Sequence, residues 1–159
     1  MTCCDSVHMA ASCGHMECIY RLRGENFNSP DSYGEYPTCS AINNNNLGCL
    51  ILLACFGANL KIIDKNGRTL FHQCCMSGST GCLKFLLENT DIDVNLKDNG
   101  GNSALHYAAA RGFISCLRLL LDVKEIMLND LNGMEETAIG LAKKYSRTVC
   151  VDFLEKYCQ

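Results

Sequence analysis

Residues 64–95 read DKNGRTLFHQCCMSGSTGCLKFLLENTDIDVN, and each part of that stretch has a separate physical job. Asp64-Lys65-Asn66-Gly67 makes a turn, with Asn66 and Gly67 tolerating positive φ. Thr69 takes up free N–H groups at the start of a short helix predicted over residues 70–76, and Gly78 ends that helix in a left-handed conformation. A second helix is predicted over residues 80–88, where Cys82, Leu83, Leu86 and Leu87 form an apolar stripe at helical spacing.

The layout recurs at once. Residues 98–122, DNGGNSALHYAAARGFISCLRLLLD, place Ser103 in the capping slot, Leu105 and His106 after it, Gly112 at the break, and Cys116, Leu117, Leu120 and Leu121 on the second helix. Five cysteines extend the register along the chain, since Cys18, Cys49, Cys82, Cys116 and Cys150 follow one another at steps of 31, 33, 34 and 34 residues. A disulfide or metal framework has no reason to repeat one thiol at a fixed period, whereas a stack of equivalent helical units puts the same slot in the same place each time. These thiols are therefore expected in the seams between units.

The start segments Thr69-Leu70-Phe71-His72-Gln73-Cys74 and Ser103-Ala104-Leu105-His106-Tyr107-Ala108 resemble the Thr-Pro-Leu-His-x-Ala signature of the ankyrin repeat, a turn followed by an antiparallel helix pair. Weaker copies start at Val7-His8-Met9-Ala10-Ala11, at Tyr36-Pro37-Thr38-Cys39-Ser40-Ala41 and at Thr137-Ala138-Ile139-Gly140-Leu141-Ala142. The second copy lacks the glycine between its helices, and Asn45 is the residue best suited to the left-handed slot. In the first copy Gly24 arrives where an apolar residue is expected, so its second helix should end early, near Arg23. The resemblance implies an all-α ankyrin-repeat solenoid of about five helix-turn-helix repeats, at residues 3–30, 31–63, 64–97, 98–129 and 130–159, forming one domain.

Composition sets limits on function. Of 159 residues, 48% are hydrophobic and 19% charged, which is ordinary for a chain that folds. A net charge of −3, with no basic run beyond Lys143-Lys144, gives no field for nucleic acid. The longest apolar run, residues 49–56, is far short of the ~20 residues that span a bilayer, and no basic, then apolar leader opens the sequence. The 13 cysteines are odd in number, fall mostly inside helical patterns, and are accompanied by no Asn-x-Ser/Thr acceptor, which argues for reduced thiols in a cytoplasmic or nuclear protein.

The chemistry-bearing residues read mainly as structure. His8, His72 and His106 recur once per unit, roughly 10 Å apart as packed helices are, which is too far for a shared ion. In the family that this chain resembles, such histidines bridge adjacent turns through backbone hydrogen bonds. Cys74 and Cys75 occupy alanine slots, and no Cys-x-x-Cys pair exists. No phosphate-cradling glycine motif occurs, and neither a cofactor, a metal ligand nor a catalytic residue is assigned. Cys3 and Cys4 precede the first helix; a tail with exposed thiols open to acylation is one reading of them.

What remains is surface. The resemblance implies a concave groove lined by turn tips and by the exposed face of the first helices. Mapped onto this chain, the groove comprises Tyr33, then Lys65, Asn66 and Arg68 with Met76, then Asn99 and Asn102 with Tyr107 and Arg111, and finally Lys144 and Tyr145. Glu35, Ser77, Asn132, Met134 and Glu135 stand beside them. The expected role is a non-catalytic module, monomeric on its own, that grips a protein partner, with Tyr107, Arg111 and Tyr145 as anchors. Two alternatives remain at this point: a cysteine-based redox or metal sensor, and an accessory interaction domain of a larger enzyme.

Overall fold

The computed structural model describes residues 4–157, and within them the chain forms ten α-helices and no strand. They are α1 Val7–Cys13, α2 Met16–Arg21, α3 Pro37–Asn43, α4 Leu47–Cys55, α5 Leu70–Ser77, α6 Thr80–Asn89, α7 Ala104–Arg111, α8 Ile114–Leu121, α9 Ala138–Lys144 and α10 Thr148–Tyr157. Each consecutive odd–even pair is a hairpin whose helices pack on each other. The odd helices form one layer, α1 on α3 on α5 on α7 on α9, and the even helices a second layer behind it. The molecule is an all-α repeat solenoid, as the sequence reading expects.

Local chemistry explains where the helices begin and turn. Thr69 and Ser103 make capping boxes with His72 and His106, Ser6 accepts from Met9 N–H, and Thr137 accepts from Gly140 N–H. α3 has no such cap and instead begins with Pro37, whose missing N–H would have been free there anyway. The break between the two helices of each hairpin uses a left-handed residue every time. Gly14, Asn45, Gly78, Gly112 and Ser146 have φ of 77°, 56°, 75°, 85° and 55°, and Asn45 holds the place proposed for it. The second helix of the first hairpin ends at Arg21, close to the early stop expected from Gly24.

The core lies between the layers and between neighbouring hairpins. Cys18, Cys49, Cys82, Cys116 and Cys150, each the third residue of an even helix, are all buried, with exposures of 6, 1, 0, 0 and 1%. A small polarizable side chain fits a slot where two helices approach closely. Cys74 and Cys75 are likewise fully buried on α5. Two expected core residues differ: Leu86 and Leu120 are completely buried, whereas Leu87 and Leu121 are half-buried, because one residue further round the helix faces the outer edge of the seam. At the C-terminal end Lys143, Lys144, Glu155 and Lys156 are exposed, and Lys143 pairs with Glu155 across α9 and α10 at 2.9 Å.

Candidate functional site

Four turn tips, at residues 31–35, 64–68, 98–102 and 132–136, precede α3, α5, α7 and α9, and one side chain builds each of them. Asp31 Oδ1 accepts from the N–H groups of Tyr33 and Glu35, Asp64 Oδ1 from Asn66 and Arg68, Asp98 Oδ1 from Gly100 and Asn102, and Asn132 Oδ1 from Met134 and Glu136, all at 2.8–2.9 Å. The backbone closes the same loop, since the first N–H of each tip donates to the carbonyl four residues on, at 2.9–3.0 Å. A short acceptor that holds two N–H groups fixes the turn without help from a neighbour.

The last three tips are then tied to one another. Asn99 N–H donates to Asn66 O, and Gly133 N–H donates to Gly100 O, both at 2.9 Å. So close an approach leaves no room for a side chain: a Cβ on Gly101, whose φ is 76°, would meet Gly133 N at 2.5 Å. Behind the tips the histidines bridge repeats. His72 Nδ1 accepts from Thr69 N–H at 3.0 Å, so its Nε2 carries the proton and donates to Asn102 O, also at 3.0 Å. His106 repeats this with Ser103, and its Nε2–H is shared between Asp130 O and Glu136 O at 3.2 Å each. Burial holds both imidazoles below their ordinary pKa, which keeps them neutral in this tautomer.

The expected groove residues separate into groups with different freedom. Tyr33 (82% exposed), Lys65 and Asn66 line a cleft of about 180 Å³ between the first two tips, floored by Cys39 and Gln73. Asn99 is exposed and stitches the next tip through its Nδ2, which donates to Lys65 O at 3.2 Å. Arg111, Lys144 and Tyr145 are exposed at the far ends of α7 and α9. Lys144 pairs with Glu136 at 2.7 Å and lies 5.9 Å from the Tyr145 ring centre.

Other members of that set are engaged internally. Tyr107 is half-buried, and its hydroxyl donates to Asp98 Oδ2 at 2.6 Å; the Arg68 guanidinium lies over its ring at 5.7 Å and 3.8 Å from the same carboxylate. Burial opposes ionisation of Asp98, but the hydrogen bonds from Tyr107, Asn102 and Gly100 outweigh it and hold the carboxyl below the usual range. Asn102 accepts through Oδ1 from Asn132 Nδ2 at 2.9 Å, and Met76 is half-buried in the last turn of α5. The Arg68–Asp98 and Asn102–Asn132 contacts cross from one repeat to the next at separations of 30 residues, so no local pattern announces them.

The thiols whose pKa values are shifted are buried ones. Burial pushes Cys39 up to about 12 and Cys82 up to about 11, and raises Cys74 and Cys75 well above the ordinary thiol value. Cys116 runs the other way: a hydrogen bond from Cys75 holds it down at about 7, yet it has no exposed surface for a reagent to reach. Cys4 is buried at 2%, which corrects the reading of it as an exposed thiol open to acylation, because the segment before α1 folds back onto the first hairpin. Cys3 lies outside the described residues. The sequence reading also passed over a cluster of three possible ligands, Cys4, His15 and Cys18, whose ligating atoms all lie within 4.8 Å of one another.

Among the described residues no helix is long and apolar enough to cross a membrane. The family description "Ankyrin repeats (3 copies)" matches residues 7–98 and again 90–159. The chain is also similar to the "Target of rapamycin complex 2 subunit AVO2" of Saccharomyces cerevisiae, with 35% identity over 99 residues, covering 56% of this chain and 22% of the yeast protein. The chain thus spans about a fifth of that relative's length.

Proposed function

The chain belongs to the ankyrin repeat family, and from that premise we propose that it is a non-catalytic interaction module that binds a protein partner along its turn tips and the concave face of its first helices. Ankyrin repeats are in general protein-interaction modules, and the yeast relative is by its name a subunit of a multi-protein complex. The observation that carries the reading is the row of tips: each turn is closed by its own Asp or Asn, and the second, third and fourth tips are joined to one another by backbone hydrogen bonds. A partner meeting such a row orders little of it, so less of the contact energy is lost to immobilisation.

Tyr33, Arg111 and Tyr145 are the side chains that present aromatic or guanidinium surface to a partner, types enriched among interface anchors. Lys65, Asn66, Asn99 and Lys144 supply polar contacts around them. Arg68, Asn102, Met76 and Tyr107 support that surface from behind, and Tyr107 orders the tip through Asp98. A net charge of −3 favours protein over nucleic acid, and the chain on its own is proposed to be a monomer in cytoplasm or nucleus.

The test is affinity capture with the wild-type chain and two variants. Tyr33→Ala/Arg111→Ala/Tyr145→Ala should lose the captured partner while keeping the wild-type helical circular dichroism. Lys84→Ala/Glu88→Ala, on the outer face of α6, should capture as the wild type does. Equal capture by all three proteins contradicts the groove.

A further inference from the structure

We infer that Cys4, His15 and Cys18 form a binding site for one zinc ion, which clamps the segment before α1 onto the first hairpin. The site goes beyond partner binding, and the groove reading stands or falls independently of it. Its ligating atoms, the two Sγ and one imidazole nitrogen, lie within 4.8 Å of one another, with Cys4 Sγ 3.1 Å from His15 Nδ1. Zinc bonds of about 2.3 Å to sulfur and 2.0–2.1 Å to nitrogen, at tetrahedral angles, place such atoms roughly 3.5–3.8 Å apart. The three can therefore close on an ion with small movements.

The position of His15 in the repeat plan points the same way. In the second, third and fifth hairpins the residue just before the even helix reaches back to a carbonyl of the preceding hairpin. Asn46 Nδ2 donates to Ala11 O and Ser12 O, Ser79 Oγ to Ile42 O, and Arg147 Nε to Ala110 O. His15 makes no side-chain capping bond to its own helix and places its ring against Cys4. Three residues on, Cys18 stands on the same face of α2, in the slot that holds a buried thiol in every other repeat. A seam thiol thus acquires two ligand neighbours in the first hairpin.

Burial and charge select the ion. Both sulfurs belong to buried residues, at 2% and 6% exposure, while His15 is exposed. Binding would release two thiol protons, and two thiolates, a neutral imidazole and a divalent cation sum to no net charge, which suits a site closed to water on one side. Thiolate and imidazole donors favour zinc over calcium or magnesium, which take oxygen ligands. Three protein donors leave a fourth position for water or a further donor. The ligands span α1, so the ion would restrain the whole first hairpin.

The test uses the purified full chain with cobalt(II) as an optical probe and with zinc counted by elemental analysis. Wild-type protein should take one equivalent and show thiolate-to-cobalt charge-transfer absorption. Cys4→Ser and His15→Gln, both outside the helices, should abolish the charge-transfer band or weaken zinc by more than the roughly 10–100-fold that an outer-shell partner costs, with circular dichroism unchanged. Cys13→Ser, which removes an exposed thiol on α1, should leave binding intact. Zinc should also slow amide exchange in α1 and α2 but not in α7. No cobalt band in the wild type, a band that survives in Cys4→Ser, or a Cys4–Cys18 disulfide in protein purified with zinc and no reductant would overturn the site.

Discussion

The third and fourth hairpins, α5 to α8, and the first, α1 and α2, are written on one plan and differ in how fully their polar groups are partnered. In the middle of the stack every polar device has a neighbour to act on: His72 and His106 reach the next turn, Asp64 and Asp98 close tips that are then joined across the seam. In the first hairpin His8 fills the same slot, but its Nε2 is buried with no hydrogen-bond partner among the described residues. Its even helix is six residues long against ten for α6, and Met9, Met16 and Tyr20 are about half exposed. A repeat unit carries only part of its own stability, and the remainder belongs to its interfaces.

The sharpest way to break this comparison is to remove equivalent core side chains. Leu86→Ala and Leu120→Ala, both completely buried, are expected to cost about 2–5 kcal/mol each in urea unfolding. Leu87→Ala and Leu121→Ala, half-buried, should cost about 1–2 kcal/mol. Equal losses at all four positions would mean that the seams do not run where the structure puts them.

The bridging histidines come next. His72→Gln or His106→Gln should cost about 1–3 kcal/mol, because a buried carbonyl or N–H loses its partner, whereas His8→Gln should cost little. Their titration has a definite sign. Burial lowers both folded-state pKa values, so the unfolded chain takes up protons first as the pH falls below about 6.5. Stability from these two groups is complete above that pH and is lost as the pH drops toward their folded-state values. The urea midpoint should fall between pH 7.5 and 5.5 in the wild type and fall less in a His72→Gln/His106→Gln variant.

Smaller effects sharpen the contrast at the left-handed positions. The central hairpins use glycine there, but the last tip and last break use Glu135 and Ser146, at φ of 59° and 55°. Glu135→Gly and Ser146→Gly should each stabilise by up to about 1 kcal/mol, and Gly112→Ala should destabilise by about 1–2 kcal/mol. The smallest signal is chemical: a thiol reagent should modify exposed Cys13 and Cys55 quickly and Cys116 only as the protein unfolds, whatever its low pKa.

Much of this was legible in the chain because repeats write the same local chemistry several times. Thr69 and Ser103 as caps, Asn45 as the stand-in for glycine and the five seam thiols all follow from residues within one unit. What was not legible depends on contacts distant in sequence, most of them between units. Tyr107 reads as a surface aromatic until Asp98 and Arg68 are seen to hold it, and Asn102 reads as a loop residue until Asn132 is seen beside it. Leu87 and Leu121 continue the apolar stripe in sequence, and only the angle of the next hairpin decides that they lie at its edge. Cys4 stands in a segment with no periodic signal, so its meeting with His15 and Cys18 could be found only in space.

Amide exchange at the turn tips tests the central claim most directly, that the partner-facing row is prepared in advance by bonds between repeats. Asn99 N–H and Gly133 N–H, which donate to Asn66 O and Gly100 O, should exchange nearly as slowly as the amides inside α7 despite their place at the surface. Exchange at the rate of an open loop would mean that the tips move independently and that no preformed surface exists.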